Sequence, residues 1–316
     1  DIPSNKTILG DWDESLTLKE VDGNLTFTGS GVVRSMKMVE FAQYTLDFVE
    51  NEVINKSGFI HKGIFHRNLV DLIRLSKAWQ FEGGKLEEYD VNEPRFSEKG
   101  LLVEPESTNL YKHSLSPVKW REVKGDLVLR DGVYKDTKSV DLISSSNSPL
   151  IIGVESPIDS KRPISTTVLT SLTGGTEYEI ESILRDATNL HNYTVYRAIK
   201  SGEIGNFSEV MQLANGDYLY SYSDDVSNFS GDRSYRTYFG GSRSSLDRRF
   251  RITGVQLETT GYPTQFIPTD ESPVTRLPET LTVLTDSNFT IEADEGIQVN
   301  GNEITGFGYI RKLEVK

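Results

Sequence analysis

The sequence contains no cysteine among its 316 residues. A disulfide framework, a thiolate nucleophile and a thiolate metal site are therefore excluded. Because no covalent cross-link is available, we expect apolar packing and association with other chains to stabilise the fold.

Long apolar runs are absent as well. No segment approaches the roughly 18 uncharged apolar residues that a transmembrane helix needs, so membrane insertion is not expected. The N-terminal sequence DIPSNKTILGD lacks the basic and apolar regions of a signal peptide. It does not begin with Met, so we expect residue 1 to lie within a longer polypeptide, as a fragment or a cleaved product.

Basic residues are fewer than acidic ones. The 34 Lys and Arg against 47 Asp and Glu give a formal net charge of −13, which repels phosphate backbones and anionic bilayers. Nucleic-acid binding is therefore not expected. His61 and His66 are five positions apart, off any shared face of a strand or helix, while His113 and His191 are isolated in the sequence. We interpret these histidines as structural or solvated and not as metal ligands.

Local signatures of catalysis are also missing. The sequence has no phosphate-binding loop, no Gly-x-Ser-x-Gly elbow and no His-Glu-x-x-His zinc motif, so we predict no catalytic residue and no enzyme. A glycosidase, however, needs only two suitably spaced carboxylates. Glu177, Glu179 and Glu181 alternate along one predicted sheet face, either as a solvated surface or as a sugar-hydrolysing pair.

Short strand-like runs separated by Gly and Asn turns fill the region from residue 100 to residue 258. This rhythm predicts an all-β antiparallel sandwich or jelly roll. Near the N-terminus, Asp22-Gly23 between two alternating runs predicts a hairpin. Residues 85–98 are predicted to be an irregular connection after a Gly83-Gly84 turn.

The segment from Gly254 to Arg276 combines a predicted strand with a rigid exit from it. The strand is predicted to end at Glu258. Three prolines then recur every five residues, and because proline lacks an amide donor the chain must leave the sheet and run extended along the surface. We call residues 259–276 the strap and expect Phe266 and Ile267 to anchor it. The residues expected to face outward or to cap are Thr264, Gln265 and Thr269.

An opening PRF…GLLVEPESTNL (94–110) and a closing GVQLE…FIPTDESPVTR (254–276) resemble the borders of a jelly-roll module of bacteriophage tail fibre and tail-tip proteins. That module is similar to carbohydrate-binding modules, and the resemblance covers roughly residues 44–277. Between the borders only the strand rhythm agrees, and Leu277-Pro278 replaces the small residues usual after the closing border. The resemblance makes LVDLIRLSKAWQ a strand, although its apolar spacing also fits a helix.

The resemblance implies an antiparallel jelly-roll β-sandwich with small flanking β regions. The expected divisions are an N-terminal β region over 1–99, the jelly roll over 100–277, and a short C-terminal β segment over 278–316. The last is expected to pack on the N-terminal region or on a neighbouring subunit.

The implied function is that of a non-enzymatic virion component, located in the phage tail or another appendage. It would bind host cell-surface polysaccharide and other tail or fibre proteins, as a homo-oligomer and by analogy with fibres a trimer. Two alternatives remain open: a structural connector or decoration protein whose jelly roll mediates subunit contacts, and a fragment of a polysaccharide-degrading tailspike.

A tyrosine-rich stretch is the candidate for glycan contact, because sugars stack on aromatic rings and accept hydrogen bonds from guanidinium groups. Period two places three tyrosines of DYLYSYS on one face. A subunit interface or a plain sheet surface would use tyrosine equally well. The candidate ligand-binding residues are Tyr218, Tyr220, Tyr222, Arg233, Tyr235, Arg236 and Tyr238.

The loop that follows is rich in oxygen ligands of the kind that calcium takes. We predict no other cofactor, and the alternative to a structural calcium ion is an ordinary acidic turn. The candidate calcium ligands are Asp224, Asp225, Asn228 and Asp232.

Overall fold

The computed structural model shows an almost entirely β chain. It describes residues 6–12, 17–21, 24–40, 44–55, 60–62, 69–124, 126–144, 151–158, 164–171, 179–186, 193–200, 203–205, 208–212, 218–224, 233–240, 248–284 and 288–316. In those ranges no helix is long and apolar enough to cross a membrane. A 3₁₀ helix spans Pro117–Lys119.

The strands are numbered in chain order. Three consecutive groups cover the N-terminal, middle and C-terminal parts of the chain. The first group comprises β1 (Lys6–Trp12), β2 (Thr17–Val21), β3 (Asn24–Thr28), β4 (Val33–Glu40), β5 (Tyr44–Asp47), β6 (Glu52–Asn55), β7 (Ile60–Lys62), β8 (Val70–Ile73), β9 (Ala78–Glu82), β10 (Lys85–Tyr89), β11 (Phe96–Ser97) and β12 (Gly100–Val103). The second comprises β13 (Ser107–Asn109), β14 (Arg121–Lys124), β15 (Asp126–Asp131), β16 (Lys138–Ser144), β17 (Ile151–Ile158), β18 (Ile164–Ser171), β19 (Glu179–Asp186), β20 (Tyr193–Lys200), β21 (Glu203–Gly205), β22 (Ser208–Gln212), β23 (Tyr218–Asp224), β24 (Arg233–Gly240) and β25 (Arg248–Glu258). The third comprises β26 (Val274–Arg276), β27 (Thr280–Val283), β28 (Phe289–Ala293), β29 (Ile297–Asn300), β30 (Glu303–Gly306) and β31 (Gly308–Val315).

The chain forms two compact units, and each is discontinuous in sequence. Unit 1 consists of Asp1–Ile73, Asn92–Pro105 and Glu279–Lys316, and unit 2 of Arg74–Val91 and Glu106–Pro278. This division differs from the expected boundaries at 99/100 and 277/278. The C-terminal segment belongs to the unit that contains the N-terminal strands, because its strands complete the sheets of that unit.

Besides the strand pairs β1-β4 and β2-β3, unit 1 contains two larger antiparallel sheets. One has the order β11-β12-β31-β5-β6-β7, with β28 also paired to β31, and the other has the order β29-β30-β27-β8. Leu46 pairs with Leu313 in the first sheet, Leu281 pairs with Leu72 in the second, and all four belong to one buried apolar cluster. β2 and β3 pair antiparallel, with Val21 opposite Asn24, as the predicted hairpin requires, and the turn residues Asp22 and Gly23 lie outside the described residues.

A buried ion triad lies inside unit 1. One guanidinium nitrogen of Arg95, Nη2, is 2.6 Å from Glu279 Oε2 and 2.8 Å from Glu104 Oε2, and all three side chains are at most 1 % exposed. Burial alone would lower the pKa of Arg95, but the two carboxylates outweigh it and raise that pKa. The backbone amide of Glu104 also donates to Glu279 Oε2 at 2.8 Å. The triad therefore joins two segments that are far apart in the sequence.

Unit 2 contains two six-stranded antiparallel sheets. Their orders are β14-β17-β24-β19-β20-β21 and β15-β16-β25-β18-β23-β22. The inner strands of the first sheet are β17-β24-β19-β20, and those of the second are β16-β25-β18-β23. If these eight strands are renumbered 1 to 8 in chain order, the first sheet runs 2-7-4-5 and the second runs 1-8-3-6. This order supports the jelly roll that the resemblance implies, which stays a prediction. The all-β, antiparallel fold class predicted from the strand rhythm is confirmed.

The two border sequences meet in unit 2. β13 of the opening border pairs antiparallel with β26 of the closing border, with Ser107 opposite Arg276 and Asn109 opposite Val274. β25 ends at Glu258, as predicted, and the strap begins there. Phe266 and Ile267 are fully buried, so the predicted anchors are confirmed.

Buried polar side chains supply the hydrogen bonds that the strap backbone before β26 cannot obtain from a sheet. Asn109 Nδ2 donates to the carbonyl of Ile267 at 2.7 Å, and the amide of Ile267 donates to Gln256 Oε1 at 2.6 Å. Glu258 accepts hydrogen bonds from Ser107 Oγ at 2.5 Å, the amide of Thr264 at 3.1 Å, and Thr264 Oγ1. Burial raises the pKa of Glu258, and these donors oppose that rise.

Thr264 and Thr269 are 5 % and 8 % exposed, so of the two expected roles they cap and do not face outward. Thr269 Oγ1 donates to the carbonyl of Tyr111 at 2.5 Å and accepts from the amide of Ser114 at 3.1 Å. The strap is thus fixed to residues 107–114 along its length.

Two local expectations had different outcomes. LVDLIRLSKAWQ forms strands β8 and β9, as the resemblance implied, and not a helix. The prediction of an irregular connection over 85–98 was wrong for residues 85–89, because β10 pairs with β9 across the Gly83-Gly84 turn in a regular hairpin. Residues 90–95 contain no strand, as predicted.

We predict that Asn109→Leu lowers the free energy of unfolding of unit 2 by about 3 kcal/mol, because it removes a hydrogen bond from each of three buried backbone groups. These are the carbonyl of Ile267 and the amides of Tyr111 and Leu257, which Asn109 binds at 2.7–3.2 Å. Urea unfolding followed by tryptophan fluorescence measures the change, since Trp79 and Trp120 lie in this unit.

Thr108→Val is the matched control. Thr108 is next to Asn109 in β13, and the variant removes one exposed hydrogen bond, that to Thr275. We expect it to cost less than about 1 kcal/mol. An equal cost for the two variants would contradict a strap held by Asn109.

Candidate functional site

The predicted glycan-binding residues lie on strands of two different sheets. Tyr218, Tyr220 and Tyr222 occupy alternate positions of β23, opposite Thr170, Val168 and Thr166 of β18. The other four candidate residues lie on β24 of the other six-stranded sheet: Arg233, Tyr235, Arg236 and Tyr238. The backbone therefore does not place the seven residues on one continuous strand surface, and their role in ligand contact stays a prediction.

The predicted calcium loop falls almost entirely outside the described residues. Asp224 is the last residue of β23, and Asp225, Asn228 and Asp232 lie beyond the described ranges, as do His66, His191 and Glu177. Calcium binding stays a prediction. His113 is described, and it is not isolated in space: its Nδ1 lies 2.7 Å from Asp270 Oδ1.

A polar cleft of about 680 Å³ opens in unit 2 between β10 and the turn that joins β15 to β16. Its volume is in the range of small-molecule sites. The cleft is lined by Lys85, Leu86, Glu87, Glu88, Asp131, Gly132, Val133, Tyr134, Lys135, Asp136, Thr137 and Lys138.

The walls of the cleft are held by the core beneath it. Leu86 and Val133 are 3 % and 4 % exposed, and the amide of Leu86 donates to the carbonyl of Val133 at 2.7 Å. The β15–β16 turn is closed by the amide of Gly132, which donates to the carbonyl of Thr137 at 2.8 Å. Lys135 has a φ of 45°, so the turn projects this residue from a left-handed backbone.

Glu88 organises the side chains at one end of the cleft. Its Oε2 accepts from Lys135 Nζ at 2.8 Å and from the hydroxyl of Tyr134, and its Oε1 accepts from Lys77 Nζ at 2.5 Å. Trp79 Nε1 donates to the Tyr134 hydroxyl at 3.3 Å. The Lys135 ammonium also lies 4.7 Å from the centroid of the Tyr134 ring, within cation–π range. The tyrosine ring is thus fixed in a partly exposed position.

These contacts determine the charge of Glu88. The hydrogen bond from Lys135, then those from Lys77 and Tyr134, lower the pKa of Glu88 from 4.5 to about 2. The same bond to Glu88 raises the pKa of Lys135. Glu88 is therefore an ionised acceptor at neutral pH.

The exposed groups of the cleft offer ammonium donors from Lys85 and Lys138, carboxylate acceptors, and one oriented aromatic ring. This is the mixture of polar groups and aromatic surface that binds hydroxylated ligands such as saccharides. Sequence reasoning missed the site because it treated residues 85–98 as irregular. The Asp131-Gly132 pair was a turn signal, but it did not indicate what the turn faces.

Neither a scan against family models nor a search of the curated proteins gave a match to this chain.

We predict that Glu88 stabilises unit 2 by about 1–2 kcal/mol at neutral pH, after allowing for screening of its half-exposed lysine partners. Because the folded-state pKa is lowered, this contribution is complete above the unfolded-state value of 4.5 and is lost as the pH falls towards about 2. The measurement is the difference in unfolding free energy between wild type and Glu88→Gln, obtained from urea titrations at a series of pH values from neutral down to about 2.

Glu87→Gln is the control, since Glu87 is exposed on the adjacent position of β10. Its difference from wild type should stay near zero throughout the titration. A Glu88→Gln difference that does not change with pH would show that the carboxylate charge is not the source of the stabilisation.

Proposed function

We propose that this chain is a non-enzymatic component of a bacteriophage tail fibre or tail tip, and that unit 2 binds polysaccharide on the host surface. The observation that carries the proposal is the polar cleft with Tyr134 held at its edge. The strand order of unit 2 and the pairing of the two border sequences support the resemblance on which the phage assignment rests.

The cleft favours binding over hydrolysis. A glycosidase general acid needs a raised pKa so that it keeps its proton at neutral pH. Glu88 has the opposite shift, to about 2, and both of its oxygens are occupied by hydrogen bonds. Three donors already bind its carboxylate, so the exposed lysines and Tyr134 are the first contacts that we assign.

The test is binding of the full chain to an array of bacterial surface polysaccharides, comparing wild type with Tyr134→Ala. We expect the variant to lose about tenfold in affinity, which is about 1.4 kcal/mol, because stacking on one aromatic ring is removed. Lys85→Ala, at an exposed cleft residue, should weaken binding without disturbing the Glu88 contacts.

Tyr262→Ala is the control, because Tyr262 is an aromatic residue of unit 2, 38 % exposed, outside the cleft. Tyr220→Ala tests the tyrosine strand separately, and a loss seen only there would move the site from the cleft to β23. Absence of binding, together with a stable oligomer in light scattering, would favour the connector role. Release of reducing sugar would overturn the non-enzymatic assignment.

A further inference from the structure

A histidine and two carboxylates come together in unit 2, away from the cleft. His113, Asp270 and Glu271 each offer one ligand atom, and these atoms all lie within 4.8 Å of one another. His113 belongs to the loop after β13, whereas Asp270 and Glu271 belong to the strap. The carboxylates are 71 % and 80 % exposed and the imidazole is 16 % exposed, so an ion in solvent can reach the group.

The backbone fixes the positions of these residues. The amide of His113 donates to the carbonyl of Asp270 at 2.8 Å, which joins the loop directly to the strap. The carbonyl of His113 accepts from Trp120 Nε1 at 2.8 Å and from the amide of Ser116 at 2.9 Å. The imidazole is therefore presented from an anchored residue, opposite Asp270, whose backbone carbonyl is bound to the amide of His113.

The distances suit coordination through Nε2. Two ligand atoms bound to one tetrahedral ion at about 2.0–2.1 Å are about 3.3 Å apart. His113 Nε2 and Glu271 Oε2 are 3.4 Å apart. On the other side of the ring, Nδ1 lies 2.7 Å from Asp270 Oδ1, so it can donate to that carboxylate. A carboxylate acceptor on the second ring nitrogen is the usual support of a metal-binding histidine, because it fixes the tautomer.

Lys119 is the local cation whose charge would repel an ion bound to Glu271. Its Nζ is 2.9 Å from Asp270 Oδ1 and 3.9 Å from Glu271 Oε1, and its side chain is 47 % exposed. Its hydrogen bond, followed by that of His113, lowers the pKa of Asp270, which is therefore ionised at neutral pH. A half-exposed ammonium on a flexible stem can move into solvent at small cost.

We propose that His113 Nε2 and the Glu271 carboxylate bind a divalent first-row transition-metal ion, with Asp270 orienting the imidazole and water completing the coordination. One imidazole with carboxylate oxygen suits zinc, nickel or copper and not calcium, which takes oxygen ligands alone. The ion would fasten the strap to the loop at residues 113–120. The site shares no residue with the cleft or with the candidate calcium ligands.

The test is titration of the full chain with Zn²⁺ in competition with a chromophoric chelator, with Co²⁺ absorption as a second readout of imidazole and carboxylate coordination. His113→Asn should weaken Zn²⁺ binding at least tenfold. Asparagine is chosen because His113 has a φ of 53°, a conformation that asparagine tolerates. Glu271→Gln should weaken binding by a similar factor without changing the loop.

Lys119→Met gives a prediction of the opposite sign. Removing the competing ammonium should tighten Zn²⁺ binding several-fold, an effect that a nonspecific surface site would not show. Glu106→Gln, at an exposed carboxylate of the same unit, is the charge-matched control and should leave affinity unchanged.

Saturating Zn²⁺ should also raise the unfolding temperature of wild type but not that of His113→Asn. Equal Zn²⁺ affinity in wild type and His113→Asn, or no binding above that of a protein-free control, would overturn the proposal and leave the group as an ion-pair cluster.

Discussion

The proline-rich strap needs hydrogen-bond partners for a backbone that has left the sheet, and the rest of unit 2 depends on how they are supplied. A buried amide or carbonyl without a partner costs about as much as a whole hydrogen bond contributes. In this unit the partners are side chains: Asn109, Gln256 and Glu258 reach the strap from beneath it. These residues are buried because the strap covers them, and the strap is ordered because they bind it.

The same docking connects the border of the sandwich to the cleft. Phe266 of the strap packs edge-on against Phe81 of β9, with ring centroids 6.4 Å apart. Phe81 and Phe266 share one apolar cluster with Leu86 and Val133, which form the floor of the cleft. Loss of strap docking would therefore loosen the support under Tyr134 as well. The proposed metal site lies where Asp270 of the strap contacts His113.

Local signals in the sequence were sufficient for the fold class. Alternation over short runs with Gly and Asn turns predicted antiparallel strands, and the five-residue proline spacing predicted the strap with its anchors. The domain boundaries were not predictable in this way. Residues 92–105 look continuous with the jelly-roll border, but Arg95 and Glu104 complete a buried triad with Glu279, so that segment belongs to unit 1.

The sequence by itself determined that the chain forms antiparallel strands, where it must leave the sheet, and which apolar residues fasten it. Only the tertiary structure decided which polar residues are buried and which charged groups meet. Glu88 and Tyr134 are 46 positions apart, and His113 and Asp270 are 157 apart. Periodicity reports the environment of neighbours along one strand, whereas these contacts form between segments that only the closed sandwich brings together, so they leave no local pattern in the sequence.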